Sequence, residues 1–77
     1  MSQDVVKVFG RTVRALRETQ GWSQEQLAER SDLDRSYVGE IERARVVASI
    51  VTVHKLATAL QLDAASLLAQ CGRFNPE

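Results

Sequence analysis

The chain has 77 residues, which allows one small domain with a thin hydrophobic core. Its formal net charge is zero, which argues against a non-specific polyanion binder, and its single cysteine excludes an internal disulfide. It lacks the paired Cys or His residues of a zinc site, so neither a metal nor another cofactor is expected. The N-terminus alternates apolar and charged residues without a signal-peptide core or a membrane span, which favours a cytoplasmic protein.

The charged residues are unevenly distributed along the chain. Residues 18–34 contain five acidic side chains and one basic side chain, so the remainder carries a net positive charge. A basic side on a neutral protein can meet nucleic acid. A mixed, solvated surface explains the same distribution, and charge alone favours that simpler interpretation.

The first predicted helix carries a single apolar stripe. Val5, Phe9, Val13 and Leu16 recur at the spacing of one helical face, which predicts that all four side chains are buried. Gly21 suits the left-handed position that follows a helix, so the first helix is expected to end just before it.

The second predicted helix has a strong start signal. Ser23 is expected to cap it, and Gln26 three residues later completes a capping box. Trp22 precedes the cap and can pack on Leu27 as a hydrophobic staple. Leu27 and Ala28 are expected to face the core.

The segment LDRSYVGEIER predicts a third helix, capped by Asp34 and buried through Val38 and Ile41. Gly39 in its middle should weaken this helix by about 1 kcal/mol relative to Ala. The turn before it is too short for an antiparallel hairpin with full overlap, so the second and third helices should cross steeply. That arrangement is a helix-turn-helix over about residues 23–43.

Two further helices complete the prediction, one after Ser49 and one after Asp63. The fifth helix holds Leu67 and Leu68, and the fourth is expected to bury Ile50, Val53, Leu56, Ala57 and Leu60. Residues 71–77 contain Gly and Pro and are predicted to fray. No strand pattern is present, so the predicted fold class is all-α, with five helices in one domain over residues 1–77.

The segment WSQEQLAERSDLDRSYVGEIER resembles the helix-turn-helix of the lambda-repressor-like, or Xre-type, DNA-binding domains. The resemblance covers about residues 5–70 and is greatest to restriction–modification controller proteins, which are small dimeric regulators. It implies a compact five-helix lambda-repressor-like fold and a double-stranded DNA partner. The shared pattern is a polar cap, a glutamine, Leu-Ala, a turn and a polar helix ending in Glu and a basic residue, here Ser23, Gln24, Leu27, Ala28, Asp32, Leu33, Glu42 and Arg43.

The third helix is then the expected recognition helix. With Val38 and Ile41 inward, Arg35, Ser36, Gly39, Glu40 and Arg43 fall on the outer face. We expect the groups that read bases to be Arg35, Ser36, Tyr37 and Glu40, since Arg matches guanine, Ser and Tyr can donate, and Glu can accept from cytosine. Glu40 could instead repel phosphate and set register. Gly39 would let the helix approach the duplex.

Four other residues are expected to contact phosphate. The resemblance places Gln24 on a phosphate and against the recognition helix, although a plain surface glutamine is the simpler interpretation. Arg43 lies where the helix leaves the groove. Ser49 and Thr52 begin the fourth helix, whose free N–H groups can hold a phosphate oxygen; simple capping by Ser49 is compatible with this role.

The resemblance also implies a structural pair and shows where this chain departs from the family. Arg17 and Glu42 match an arginine and a glutamate that fix the angle of the recognition helix. Asp32 stands where the family usually has glycine, and Asp tolerates the left-handed backbone, so the turn should survive. Ala44 likewise replaces a glycine or asparagine. Residues 46–47 are both valine, and packing under the loop is preferred to a hydrophobic binding patch.

The leading functional hypothesis is a sequence-specific transcriptional regulator that binds a two-fold-related operator as a homodimer. A restriction–modification operon and its own gene are the expected targets. The alternatives are a phage- or plasmid-type repressor, an antitoxin, or a protein-interaction adaptor that does not bind DNA. No catalytic constellation is present, so the chain is not expected to be an enzyme, and neither a small-molecule ligand nor a membrane partner is expected. The predicted dimer surface comprises Leu67, Leu68 and Phe74.

Overall fold

The computed structural model describes the backbone of residues 2–73 and the side chains of residues 5–72. Within this range the chain forms five helices: α1 (Ser2–Thr19), α2 (Gln24–Ser31), α3 (Arg35–Glu42), α4 (Ile50–Ala59) and α5 (Ala64–Arg73). Helix α3 packs on α1 and α2, α4 packs on α2 and α5, and α5 returns to α1. The predicted all-α fold class is therefore confirmed.

Local side-chain chemistry fixes the helix starts where the sequence predicts them. In the capping box of α2, the Gln26 backbone N–H donates to Ser23 Oγ over 3.1 Å and the Ser23 backbone N–H donates to Gln26 Oε1 over 2.8 Å. Asp34 and Ser49 cap α3 and α4 by accepting backbone N–H groups with their side chains. Each cap satisfies an otherwise unpaired donor and contributes about 1 kcal/mol.

The turn between α2 and α3 depends on one left-handed residue. Asp32 has φ 57° and ψ 46°, and its N–H donates to the carbonyls that end α2. Asp reaches this region more readily than most residues because its short polar side chain can bond locally. The turn therefore persists without glycine, as predicted, whereas Gly21 supplies the left-handed residue after α1 with φ 76°.

The hydrophobic core takes apolar side chains from every helix. Its fully enclosed members are Val13, Leu27, Val38, Leu56, Ala57 and Leu67. Two predicted core residues are instead exposed, Val5 by 69% and Ile50 by 82%. Val5 lies on the buried face of α1, but beyond the part that the other helices cover. Ile50 precedes the buried Thr52 by two residues, which turns it about 200° away around α4.

The C-terminal end of α5 overlaps the segment for which fraying is predicted. Helix α5 includes residues 71–73, so that prediction now concerns its last turn. Asp63 immediately precedes α5 and caps it, because its carboxylate accepts the Ser66 backbone N–H over 2.7 Å. Residues 74–77 lie outside the described residues. None of the helices within residues 2–73 combines the length and apolar character needed to cross a membrane.

Candidate nucleic-acid interface

The first turn of α3 presents unpaired polar side chains to solvent. Arg35 and Ser36 are exposed, while Val38 and Ile41 on the opposite face are buried. Among residues 5–72, no side-chain hydrogen bond or ion pair involves the Arg35 guanidinium or the Ser36 hydroxyl. Two of the four predicted base-reading residues therefore have donors available for an external partner.

Tyr37 is tied to the start of α4. Its ring packs against the core, and its hydroxyl oxygen lies 3.3 Å from Thr52 Oγ1. The Ser49 hydroxyl donates to the same Thr52 oxygen over 3.1 Å, and the Thr52 backbone N–H donates back to Ser49 Oγ over 3.1 Å. Thr52 itself is buried.

This chain of hydroxyl groups corrects two of the sequence predictions. The Thr52 backbone N–H that was expected to be free for phosphate donates instead to Ser49 Oγ over 3.1 Å, and the Thr52 side chain is buried. Tyr37 is half-buried and joins α3 to α4 instead of standing free on the outer face. Ser49 caps α4 and remains exposed at the surface.

A single carboxylate joins the three N-terminal helices. Arg17 Nε donates to Glu42 Oε2 over 2.7 Å and Arg17 Nη2 donates to Glu42 Oε1 over 3.0 Å, while Arg17 Nη1 donates to the Trp22 carbonyl over 2.7 Å. Gln24 Nε2 donates to Glu42 Oε1 over 3.0 Å. The predicted Arg17–Glu42 pair is thus present, and Gln24 contacts α3, the expected recognition helix, as the resemblance implies. We call Arg17, Gln24 and Glu42 together the brace.

The Arg17–Glu42 ion pair within the brace is shielded from water. The Glu42 side chain is 2% exposed and the Arg17 side chain 11% exposed. The hydrogen bond from Arg17 to Glu42 raises the pKa of the guanidinium, with a Coulombic contribution from the same carboxylate against the opposing effect of burial. A two-point contact between planar groups also fixes orientation, so the brace sets the angle of α3.

Gly39 does not lie open to the groove, which corrects the expectation from the sequence. It is buried, and a Cβ added there would meet Arg43 Nη1 at 3.1 Å, Arg43 Nη2 at 3.2 Å and Gln24 Oε1 at 3.3 Å. Two long polar side chains therefore cover the glycine. Helical periodicity places Gly39 on the outer face of α3, but it cannot show that the side chains of Arg43 and Gln24 cover the glycine.

Arg43 is held by a weak ion pair. Its Nη2 donates to Glu40 Oε2 over 2.7 Å, and both side chains are partly exposed. A pair of this kind contributes about 0–1 kcal/mol. Glu40 therefore engages a neighbour on its own helix, and the pair is weak enough for a phosphate to compete with Glu40 for Arg43.

The loop after α3 turns through Ala44, which adopts a left-handed backbone with φ 61°. The Arg45 N–H then donates to the Glu40 carbonyl over 2.9 Å. Val46 packs against the core, as predicted, but Val47 is 79% exposed, so its predicted packing is wrong. Neighbouring residues of a non-helical segment tend to point to opposite sides, which allows only one valine to reach the core.

Leu67 is fully buried in the core, so its predicted place in a dimer surface is wrong. Its neighbour Leu68 is 54% exposed. Adjacent residues of a helix differ by about 100° in direction, and here only one of the two faces inward. Phe74 lies outside the described residues.

Leu68 belongs to a larger apolar surface. A groove of about 370 Å³ has Val5, Phe9, Val47, Leu68 and Cys71 among its lining residues. Ile50 and Val51 at the start of α4 are also exposed but do not line this groove. We define the apolar face as the three exposed groove residues Val5, Val47 and Leu68.

Sequence reasoning missed the role of Gly10. A Cβ there would lie 2.5 Å from the Ile41 carbonyl oxygen and 2.9 Å from that of Glu42. Helix α1 therefore approaches the end of α3 by direct backbone contact beside the brace. The available signal was a glycine within an apolar-striped helix, which often marks a close approach.

Residues 8–70 match the family described as a helix-turn-helix domain. The chain is 36% identical over 74 residues to the control protein C.SmaI of Serratia marcescens. The matched region includes 96% of this chain and 88% of that protein. It is 41% identical over 66 residues to a hypothetical transcription factor of Neisseria meningitidis, covering 86% of this chain. The match spans 62% of the length of that Neisseria protein.

Solved structures include similar folds. The restriction–modification controller protein C.AhdI of Aeromonas hydrophila superposes with a TM-score of 0.77 and 52% identity, covering 83% of this chain and 96% of that chain. The superposed length thus includes nearly all of the controller protein. These relatives are named as control proteins and a transcription factor, not as enzymes.

Proposed function

Because this chain belongs to the helix-turn-helix family of transcription regulators, we propose that it binds a specific DNA operator by placing α3 in the major groove. The observation that carries this proposal is the unpaired first turn of α3, where Arg35 and Ser36 face solvent on a helix held by the brace. An α-helix fits the major groove, and the N-terminal turn of a recognition helix usually contacts base edges. Such a regulator acts in the cytoplasm.

Base reading and backbone positioning are assigned to different parts of the interface. Arg35 and Ser36 are the proposed base-reading residues, because both have donors without partners in the described structure. Arg43 and Gln24 lie together over Gly39 and are proposed to meet phosphate. Phosphate contacts fix the position of a protein on the duplex, whereas contacts to base edges provide specificity.

Tyr37 and Glu40 are less available for base reading than Arg35 and Ser36. The Tyr37 hydroxyl lies close to Thr52, and Glu40 accepts from Arg43. Either group would have to leave its partner to contact a base.

The regulator is proposed to act as a homodimer through the apolar face. The exposed side chains of Val5, Val47 and Leu68 line one apolar groove, which favours their burial against a second copy. A two-fold dimer with its recognition helices about 34 Å apart would match successive major grooves. Sedimentation of Leu68→Glu should show a shift toward monomer, with Glu25→Gln, a substitution at an exposed residue of α2, as the control. A wild-type protein that binds DNA yet remains monomeric at tens of micromolar would contradict this assembly.

The proposed target is a restriction–modification operon together with the regulator's own gene. Two relatives that the chain covers over most of their length are a control protein and a restriction–modification controller protein. A gel shift with the DNA upstream of the gene that encodes this chain tests the target. Binding to a distant promoter alone would favour a different regulatory role.

The decisive experiment compares Arg35→Ala and Arg43→Ala on cognate, singly substituted and random duplexes at several salt concentrations. Arg35→Ala should cost about 1–3 kcal/mol on the cognate site and relax preference at one base pair per half-site. Arg43→Ala should weaken all duplexes similarly and reduce the salt dependence by about one unit of slope.

Arg14→Ala provides the matched control, because Arg14 is exposed on α1 and pairs with Glu18. It removes the same charge and should leave base preference unchanged. If Arg35→Ala weakened every duplex equally while Arg43→Ala altered base preference, the proposed orientation of α3 would be reversed. If wild-type protein bound no duplex, DNA recognition itself would be refuted.

A further inference from the structure

We infer that Gly39 is a positioning residue: its missing side chain provides the space from which Arg43 and Gln24 meet the DNA backbone. This inference rests on the proposed function. It replaces the idea that the glycine lets the helix axis approach the duplex. The glycine acts through its neighbours and need not touch DNA.

The space above Gly39 is already occupied in the protein alone. A Cβ at this position would lie 3.1–3.3 Å from the two terminal nitrogens of Arg43 and from Gln24 Oε1. Contacts this short require the neighbours to move by a few tenths of an ångström or more. All three atoms are the ends of flexible side chains, so they would yield and the helix backbone would stay in place.

Both side chains over Gly39 make a second polar contact, which biases where they lie in the protein alone. Gln24 Nε2 donates to Glu42 Oε1 over 3.0 Å, which connects it to the buried brace. Arg43 Nη2 donates to Glu40 Oε2 over 2.7 Å. The Gln24 amide and the Arg43 guanidinium therefore lie over the same part of the α3 surface, with Gln24 Oε1 facing Gly39. Gln24 Nε2 carries two hydrogens, so it can keep its bond to Glu42 and donate the second hydrogen to an external acceptor.

Gly39 lowers the stability of α3, and nothing within the helix offsets this loss. Gly39 lies inside α3 without a positive φ, so alanine would fit the backbone and strengthen the helix. A residue that weakens its helix yet sets the position of a charged donor is expected to trade stability for binding. Gly39→Ala should therefore change the two properties in opposite directions.

The predicted signature of Gly39→Ala is a higher or unchanged melting temperature with weaker DNA binding. Loss of one charge-assisted contact corresponds to an affinity decrease of about tenfold or more. The reduction should be similar on cognate and random duplexes, because the displaced groups are assigned to phosphate. Gly72→Ala in α5 is the control for melting, since a Cβ there meets nothing within 4 Å.

A double-mutant cycle separates positioning from direct contact with DNA. If Gly39 acts through Arg43, Gly39→Ala should weaken binding in the wild-type background and have much less effect in an Arg43→Ala background. An equal loss in both backgrounds would mean that the new methyl group itself meets the duplex. That result, or undiminished binding by Gly39→Ala, would overturn the inference.

The placement can also be tested without DNA. The side-chain amide signals of Gln24 and the Nε–H signal of Arg43 should shift in the NMR spectrum of Gly39→Ala and remain unchanged in Gly72→Ala. Unshifted signals would refute the inference even if Gly39→Ala bound DNA more weakly. Conversely, shifted signals in Gly39→Ala together with a wild-type protein that binds no duplex would reject the proposed function while retaining the placement of these two side chains.

Discussion

Replacing Glu42 by alanine should destabilise this protein severely. The substitution removes the acceptor for two Arg17 nitrogens and for Gln24, and it leaves a guanidinium whose side chain is only 11% exposed. Breaking a buried pair from one side typically costs about 3–5 kcal/mol, because the remaining charge stays desolvated. A chain of this size has a total stability of roughly 4–12 kcal/mol. Glu42→Ala should therefore lower the melting temperature by about 15 °C or more.

Chemical denaturation of single and double variants tests whether the unpaired buried charge causes this loss of stability. Removing both charges, in Arg17→Met combined with Glu42→Ala, should cost clearly less than the sum of the two single changes. Arg14→Ala breaks the exposed pair with Glu18 and should cost less than about 0.5 kcal/mol. Strictly additive single costs, or a Glu42→Ala variant as stable as wild type, would refute the brace as a buried ion pair.

Three further predictions concern backbone geometry and pH. Gly10→Ala should destabilise by about 1–3 kcal/mol in chemical denaturation, because its Cβ would meet backbone oxygens of α3 that cannot move independently; a neutral effect would contradict the close approach. Ala44→Gly should raise stability by about 1 kcal/mol by relieving a left-handed alanine, and a lower melting temperature would show that the turn is not strained. The Ser66 backbone N–H lowers the pKa of the Asp63 carboxyl, so the charged cap stabilises the fold above about pH 4 and is lost as the pH falls through the folded-state pKa. The melting-temperature difference between wild type and Asp63→Asn should consequently close in acid, and a pH-independent difference would argue against a charged cap.

The sequence predicted helix starts well because their chemistry is local. Ser23, Asp34 and Ser49 each cap the helix that follows them, and Gln26 completes its box, all within three residues of the cap. The resemblance to the controller proteins is confirmed by the relatives, and it supplied the Arg17–Glu42 pair, which joins residues 25 positions apart. Periodicity alone contains no such long-range information.

The failures share a different cause. Ile50 and Leu67 were placed on the wrong side of their helices, because a run of apolar residues does not reveal which one faces the core. The Thr52 backbone N–H was expected to be free for phosphate, but it donates to Ser49 Oγ, and the Thr52 hydroxyl lies close to those of Ser49 and Tyr37. Gly39 looked open because helical geometry says nothing of side chains from other positions that fold over it. Avoiding each error requires knowledge of how separate segments pack together.

The brace separates the residues that hold α3 from those that face outward on its first turn. Arg17, Gln24 and Glu42 fix the helix, whereas Arg35 and Ser36 make no side-chain contact of that kind in the described residues. Surface substitutions away from such contacts usually change stability by less than about 0.5 kcal/mol. The two outward positions can therefore accumulate mutations with little effect on folding. Under the proposed assignment of Arg35 and Ser36 to base reading, a lineage that keeps the brace can change its operator while retaining its scaffold, so the fold is well suited to the evolution of new regulatory targets.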